Sequence, residues 1–118
     1  MARANRKRER LNQIHRCLCD HYPTPFPTDL RIRARPGCGH DFGGCDMIGR
    51  RIAIYLNPRY SRSVLIDTLF HEYAHALVWP NARVAGYRPD HSPEWGIRYA
   101  ELLEAWTDGA LDRESWAY

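Results

Sequence analysis

The sequence predicts an α+β domain in which a small twisted sheet with a hairpin packs on an N-terminal helix and is followed by two more helices. Three observations carry this expectation. Apolar residues recur at helical spacing near the start and again beyond residue 64. They alternate in two short stretches between residues 29 and 56, and a glycine-rich segment separates those stretches. At 118 residues the chain is long enough for one hydrophobic core and too short for two, so residues 1–118 are read as a single domain.

Leu11, Ile14, Cys17 and Leu18 fall on one helical face, which predicts a first helix over about residues 5 to 20, ended by the prolines of "YPTPFPTD". In "DLRIRAR", Leu30, Ile32 and Ala34 alternate with Arg31, Arg33 and Arg35, the pattern of a half-buried strand. Its arginine face is either solvated or a basic wall beside a site. The segment "PGCGHDFGGCDMIGRRIAIYLNP" then reads as a loop and a β-hairpin turning near Gly49, with Ile52, Ile54 and Leu56 on one face. The strand at residues 51 to 56 is expected to present a free edge to which an extended peptide could add. Ser61 or Ser63 can cap the next helix, which should run to about Val78, ahead of Pro80. After a loop, Ser92 as N-cap and Pro93 at the first position open the last helix, with Trp95, Tyr99, Leu102, Leu103 and Trp106 as its buried stripe. Residues 107–118 read as an acidic, loosely packed end.

The net charge of +3 is concentrated in residues 1–10, which carry five basic groups and one acid. The rest of the chain is almost balanced. This segment reads as a basic tail or helix start, and Arg3, Arg6, Lys7 and Arg8, together with the row Arg31, Arg33 and Arg35, are the candidate DNA contacts. No apolar run is long enough to cross a bilayer, and the N-terminus lacks the apolar stretch of an export signal, so a cytoplasmic monomer with no membrane partner is expected. In that compartment Cys17, Cys19, Cys38 and Cys45 are expected as free thiols, since C-x-C and C-x6-C are poor zinc spacings.

The stretch "FHEYAHALVW", residues 70–79, carries the chemistry. His71 and His75 lie one helical turn apart, so both imidazoles can bind one tetrahedral ion. Glu72 lies about 100° around the helix from His71 and about 60° from His75, able to take a proton from a water at the ion without binding it. With six histidines and six glutamates in the chain, chance matches to H-E-x-x-H are expected on the order of 0.015 times. The apolar residues Leu65, Ile66, Leu69, Phe70, Tyr73, Ala76 and Leu77 occupy the opposite arc, about 120° to 260° from His71, so the histidines face either water or a cleft. A third ligand must come from elsewhere. His91, just ahead of the last helix, is the leading candidate and Glu94 its rival. Tyr99, Arg98 and His40 are candidates to assist an oxyanion, and Asp67 to hold a ligand imidazole.

"VLIDTLFHEYAHALVW" followed by "HSPEW" resembles the catalytic core of the SprT-like zinc metalloproteases, a family that includes a protease of DNA-crosslinked proteins. In that family the third histidine stands in an H-G-P-E-aromatic setting, and here Ser92 replaces the glycine. The strand "RRIAIYLNP" and the glycine-rich hairpin before it also resemble the family, so the likeness spans roughly residues 30–106, most firmly 64–95. It implies a minimal zincin-like fold, Zn²⁺ as cofactor with His71, His75 and His91 as ligands, and Glu72 as catalytic acid/base in peptide hydrolysis. The family's C-terminal cysteine-rich ribbon has no counterpart in these residues. A reading of another class is a non-catalytic, zinc-stabilised DNA-binding or adaptor module. It predicts salt-dependent DNA affinity without hydrolysis.

Overall fold

A computed structural model describes residues 2–80 and 87–108, with side chains from Arg6 onward. The Arg3 side chain, residues 81–86 of the expected loop and residues 109–118 of the expected acidic end lie outside the described residues. Helix α1 (Ala2–His21) is a little longer than its apolar spacing predicts and buries Leu11, Ile14 and Leu18 completely. Cys17, on the same expected face, is half-buried. The helix stops two residues before Pro23, because proline cannot donate the next helical hydrogen bond.

Three strands follow: β1 (Thr28–Arg31), β2 (Gly43–Ile48) and β3 (Arg51–Leu56). They form one mixed sheet in the order β1-β3-β2. β1 runs parallel to β3 with Thr28 opposite Ile52, and β2 runs antiparallel with Cys45 opposite Ile54. The hairpin turns at Gly49–Arg50, where Gly49 adopts φ +64°, a left-handed conformation that glycine enters without steric cost.

Two expectations are corrected here. The strand at residues 51–56 has no free edge, since β3 is the central strand and the sheet edges are β1 and β2. Its alternation suggested one wet face, yet Ala53 and Tyr55 are as buried as Ile52, Ile54 and Leu56. The Arg31 and Arg33 guanidinium groups each lie 5.8 Å from the Tyr55 ring centre and help to cover it. The second correction concerns the row of Arg31, Arg33 and Arg35. β1 ends at Arg31, and Arg35 turns away to make a two-pronged ion pair with Asp46 on β2 (3.0 and 2.5 Å). The chain therefore leaves the sheet where its arginines find separate partners.

Helix α2 (Arg62–Leu77) starts after Ser61, whose backbone is extended as an N-cap requires, although its hydroxyl makes no capping bond and lies 3.3 Å from that of Ser63. Leu65, Leu69, Phe70, Tyr73 and Ala76 enter the core as the helical arc predicts, with Ile66 and Leu77 half-buried. The Tyr73 hydroxyl donates to the Tyr22 carbonyl at 2.6 Å and ties α2 to the end of α1. Helix α3 (Pro93–Asp108) packs on α2 through Leu102 and Ala105, with Trp95, Tyr99, Leu103 and Trp106 half-buried beside them. The fold is thus α+β, with three helices on a small mixed sheet, and no described helix is long and apolar enough to cross a membrane.

Candidate metal centre

α2 carries His71, Glu72 and His75 on the side away from its main apolar arc. That side is recessed: Glu72 and His75 are buried beside β2 and the start of α3, and His71 is half-buried. α3 opens as its sequence predicts, with the Ser92 hydroxyl accepting from the Trp95 amide at 3.2 Å. Because α3 docks against α2, the residue just ahead of that cap, His91, returns to α2. His91 Nε2 stands 3.2 Å from His71 Nε2, and one ring nitrogen from each of His71, His75 and His91 falls within 4.8 Å of the others.

Three features of this cluster fit a cation of zinc size and preference. Two ligands at about 2.0–2.1 Å from a tetrahedral zinc are about 3.3 Å apart, close to the separation of His71 and His91. Burial, with neighbouring imidazoles adding to it, lowers the pKa of His71 and takes that of His75 down to about 4, so both stay neutral, the form that binds metal. His75 Nδ1 is buried without a hydrogen-bond partner, an arrangement that costs free energy unless something else uses the ring.

Glu72 sits beside the cluster, its Oε2 3.9 Å from His71 Nε2. With His71 neutral, this approach is a contact and not an ion pair. Burial pushes the Glu72 carboxyl up to about 7, against the opposing pull of a hydrogen bond from the Cys45 thiol and the charge of Arg35. The Cys45 thiol is itself pushed up, first by burial and then by the Glu72 charge. Two clefts meet at Glu72 and Gly43. One, of about 620 Å³, runs along β2 towards Trp79 and Tyr87, and the other, of about 370 Å³, opens past His71 to Asp67 and Phe42.

β2 comes this close to α2 because of its glycines. A Cβ on Gly43 would lie 2.2 Å from the Tyr55 carbonyl oxygen and 2.8 Å from Thr68 Cγ2, and one on Gly44 would meet the Arg35 side chain at 2.8 Å. Any side chain at residue 43 would therefore force β2 away from the Tyr55 carbonyl and from Thr68 of α2.

Of the other candidates, Tyr99, Asp67 and His40 stand near His71. Glu94 is exposed in the first turn of α3, outside the three-nitrogen cluster. Asp67 accepts a hydrogen bond from the Tyr99 hydroxyl, which joins α2 to α3 beside His71. Arg98 pairs with Glu101 at 2.9 Å, and His40 lines the smaller cleft. The four cysteines are free thiols in separate surroundings: Cys19 lies 3.5 Å from both His15 and Thr28, whereas Cys45 faces Glu72. Several of the proposed DNA contacts are engaged within the chain. Lys7 donates to the Pro58 and Tyr60 carbonyls at 3.0 and 2.7 Å, Arg8 donates to the Ile32 carbonyl at 3.2 Å, and Arg35 holds Asp46. Arg6, Arg8 and Arg33 are exposed.

Sequence reasoning missed what Trp95 and Cys45 do in the site. Trp95 was legible as one of a buried stripe, but not as a ring stacked on two histidines. Cys45 was legible as a thiol on the hairpin, but its contact with Glu72 depends on strand register and has no local signal. No family model, curated protein or solved structure matches the chain.

Proposed function

We propose that the chain is a zinc-dependent endopeptidase with a minimal zincin-like domain of the SprT-like kind. The observation that carries this reading is the convergence of His71, His75 and His91 within 4.8 Å, with Glu72 placed beside them as a carboxylate that is not part of the ligand cluster. A purely structural zinc site would use a fourth protein ligand and would have no need of a buried base.

His71, His75 and His91 would hold the zinc. When bound, the metal supplies a Lewis acid that polarises the scissile carbonyl and makes water a strong nucleophile at neutral pH. Glu72 accepts one proton from the attacking water as the oxygen adds to the carbonyl carbon. It then delivers that proton to the amine as the C–N bond breaks. Among the described residues β2 has no strand on its outer side, and it runs past Glu72 between the two clefts. An extended peptide would add there by backbone hydrogen bonds, which gives little sequence preference.

DNA-associated or DNA-crosslinked proteins are the substrates that the resemblance to the family suggests. Among the described residues Arg6, Arg8 and Arg33 are the exposed cations of the proposed DNA contacts, and the buried Glu72 beside the histidines favours the peptidase reading over the non-catalytic DNA-binding module. The test is to purify the protein, measure bound zinc, and compare wild type with Glu72→Gln in cleavage of an unstructured protein, with and without DNA. Zinc in both proteins and cleavage by wild type alone is expected. Equal cleavage by the two would remove Glu72 from the chemistry, and salt-sensitive DNA binding with no cleavage would favour the adaptor module.

A further inference from the structure

His91 is an exposed residue ahead of a helix, yet its ring is already turned towards the two histidines of α2. The neighbour that accounts for this is Trp95. Its ring stacks on His91 at 4.3 Å between centres and 27° between planes, and on His75 at 5.3 Å and 24°. It meets His71 edge-on at 4.8 Å. It also stacks on Tyr99 at 5.2 Å, and Tyr99 in turn donates to Asp67. The indole Nε1–H donates to the His71 backbone carbonyl at 3.1 Å, fixing the plate to the helix that carries the other two imidazoles.

We propose that Trp95 is the positioning residue of the metal centre, an aromatic plate that holds the His91 imidazole against His71 and His75 before any ion arrives. This inference rests on the metal-binding part of the proposed function. Stacking of this kind preorganises a ligand. A histidine on a loop loses rotamer freedom on binding a metal, and stacking on a fixed ring removes part of that freedom beforehand. The placement is local in sequence: Trp95 lies four residues beyond His91, and the Ser92 cap that receives the Trp95 amide sets the turn between them. The remaining bond runs across the domain, from the indole to the His71 carbonyl. Together they make one side chain touch all three candidate ligands.

The test compares Trp95→Phe, Trp95→Leu and a control, Trp106→Leu, which alters the same α2–α3 interface next to Phe70, away from the cluster. Zinc affinity is measured by competition with a chelator, and folding of each metal-free protein by circular dichroism and urea unfolding. Trp95→Leu should bind zinc roughly 10- to 100-fold more weakly, the usual loss when a group that orients a ligand is removed. Trp95→Phe keeps a ring face without the N–H and should recover part of that loss. Trp106→Leu should lower the unfolding midpoint and leave zinc affinity unchanged. Adding Co²⁺ to wild type should quench an indole emission that is missing in Trp95→Phe. A folded Trp95→Leu protein that binds zinc as tightly as wild type would overturn the proposal, as would cobalt quenching undiminished in Trp95→Phe. A wild-type protein that takes up no zinc would overturn the metal centre itself, a result distinct from either.

Discussion

His91 Nε2 approaches His71 Nε2 to 3.2 Å although twenty residues separate them, and the approach depends on α3 docking against α2. Glu94, the alternative third ligand, is on the same helix but outside the cluster. His91→Ala should therefore weaken zinc binding by more than about a hundredfold, whereas Glu94→Ala should leave it unchanged. Chelator competition at pH 7.5 measures both. The reverse pattern would make Glu94 the ligand.

Gly43 and Gly96 should respond oppositely to the same substitution. A methyl at residue 43 would meet the Tyr55 carbonyl oxygen at 2.2 Å, and a backbone atom cannot step aside as a side chain can. Gly43→Ala should cost roughly 1–3 kcal/mol in urea unfolding. Gly96 lies within α3 with nothing within 4 Å of its Cβ position, and Gly96→Ala should stabilise by about 0.5–1 kcal/mol. A neutral Gly43→Ala would mean that β2 can move away from the Tyr55 carbonyl and from Thr68.

Cys45 should be the slowest of the four thiols to alkylate in the native protein at pH 8. Burial and the Glu72 charge both disfavour its thiolate, and the thiolate is the reactive form. Mass spectrometry of iodoacetamide-treated protein gives the order. Fast labelling of Cys45 would show that β2 opens at this point under native conditions.

Two groups outside the metal cluster, His15 and Asp29, should each add a step to acid destabilisation, alongside the lowered His71 and His75. His15 is buried, bonds Thr28 at 2.7 Å, and has its pKa lowered mainly by burial. Its unfolded form therefore binds a proton first. Stability is full above about pH 6.5 and falls as pH drops from there towards the folded value. Asp29 is lowered chiefly by its hydrogen bonds from Arg51 (2.7 and 2.8 Å), so its contribution is present above about pH 3.9 and fades below that. The second step should be small, because the pair is exposed and screened by solvent. Urea midpoints at pH 7.5, 5.5 and 4 measure the first step. A His15→Gln protein with the same loss between pH 7.5 and 5.5 as wild type would remove His15 as its cause.

Local signals in the chain were easy to read and distant ones were not. Leu11, Ile14 and Leu18 announced α1, Gly49 the hairpin turn, and the Ser92–Pro93 pair the start of α3, because each rests on chemistry within a few residues. His71, Glu72 and His75 were legible for the same reason, being one helical turn. The central place of β3 was hidden, since Ala53 and Tyr55 look like a wet face until Arg31 and Arg33 are seen lying over Tyr55. The meeting of Tyr99 with Asp67, and that of Trp95 with His71, depend on how α3 crosses α2, which no spacing within either helix encodes.

The start of α1 reads as a cationic tail, but Lys7 and Arg8 hold α1 to the body of the domain through the carbonyls of Pro58, Tyr60 and Ile32. A hydrogen bond to a neutral carbonyl leaves the cation its charge and its other N–H donors, so it fixes where the charge sits without cancelling it. The positive charge of this end is therefore held at fixed places on the domain surface, with Arg6 and Arg8 exposed. A chain shortened to begin at residue 9 would lose structural ties as well as cations, so it should unfold more easily and show a shallower salt dependence in any contact with duplex DNA.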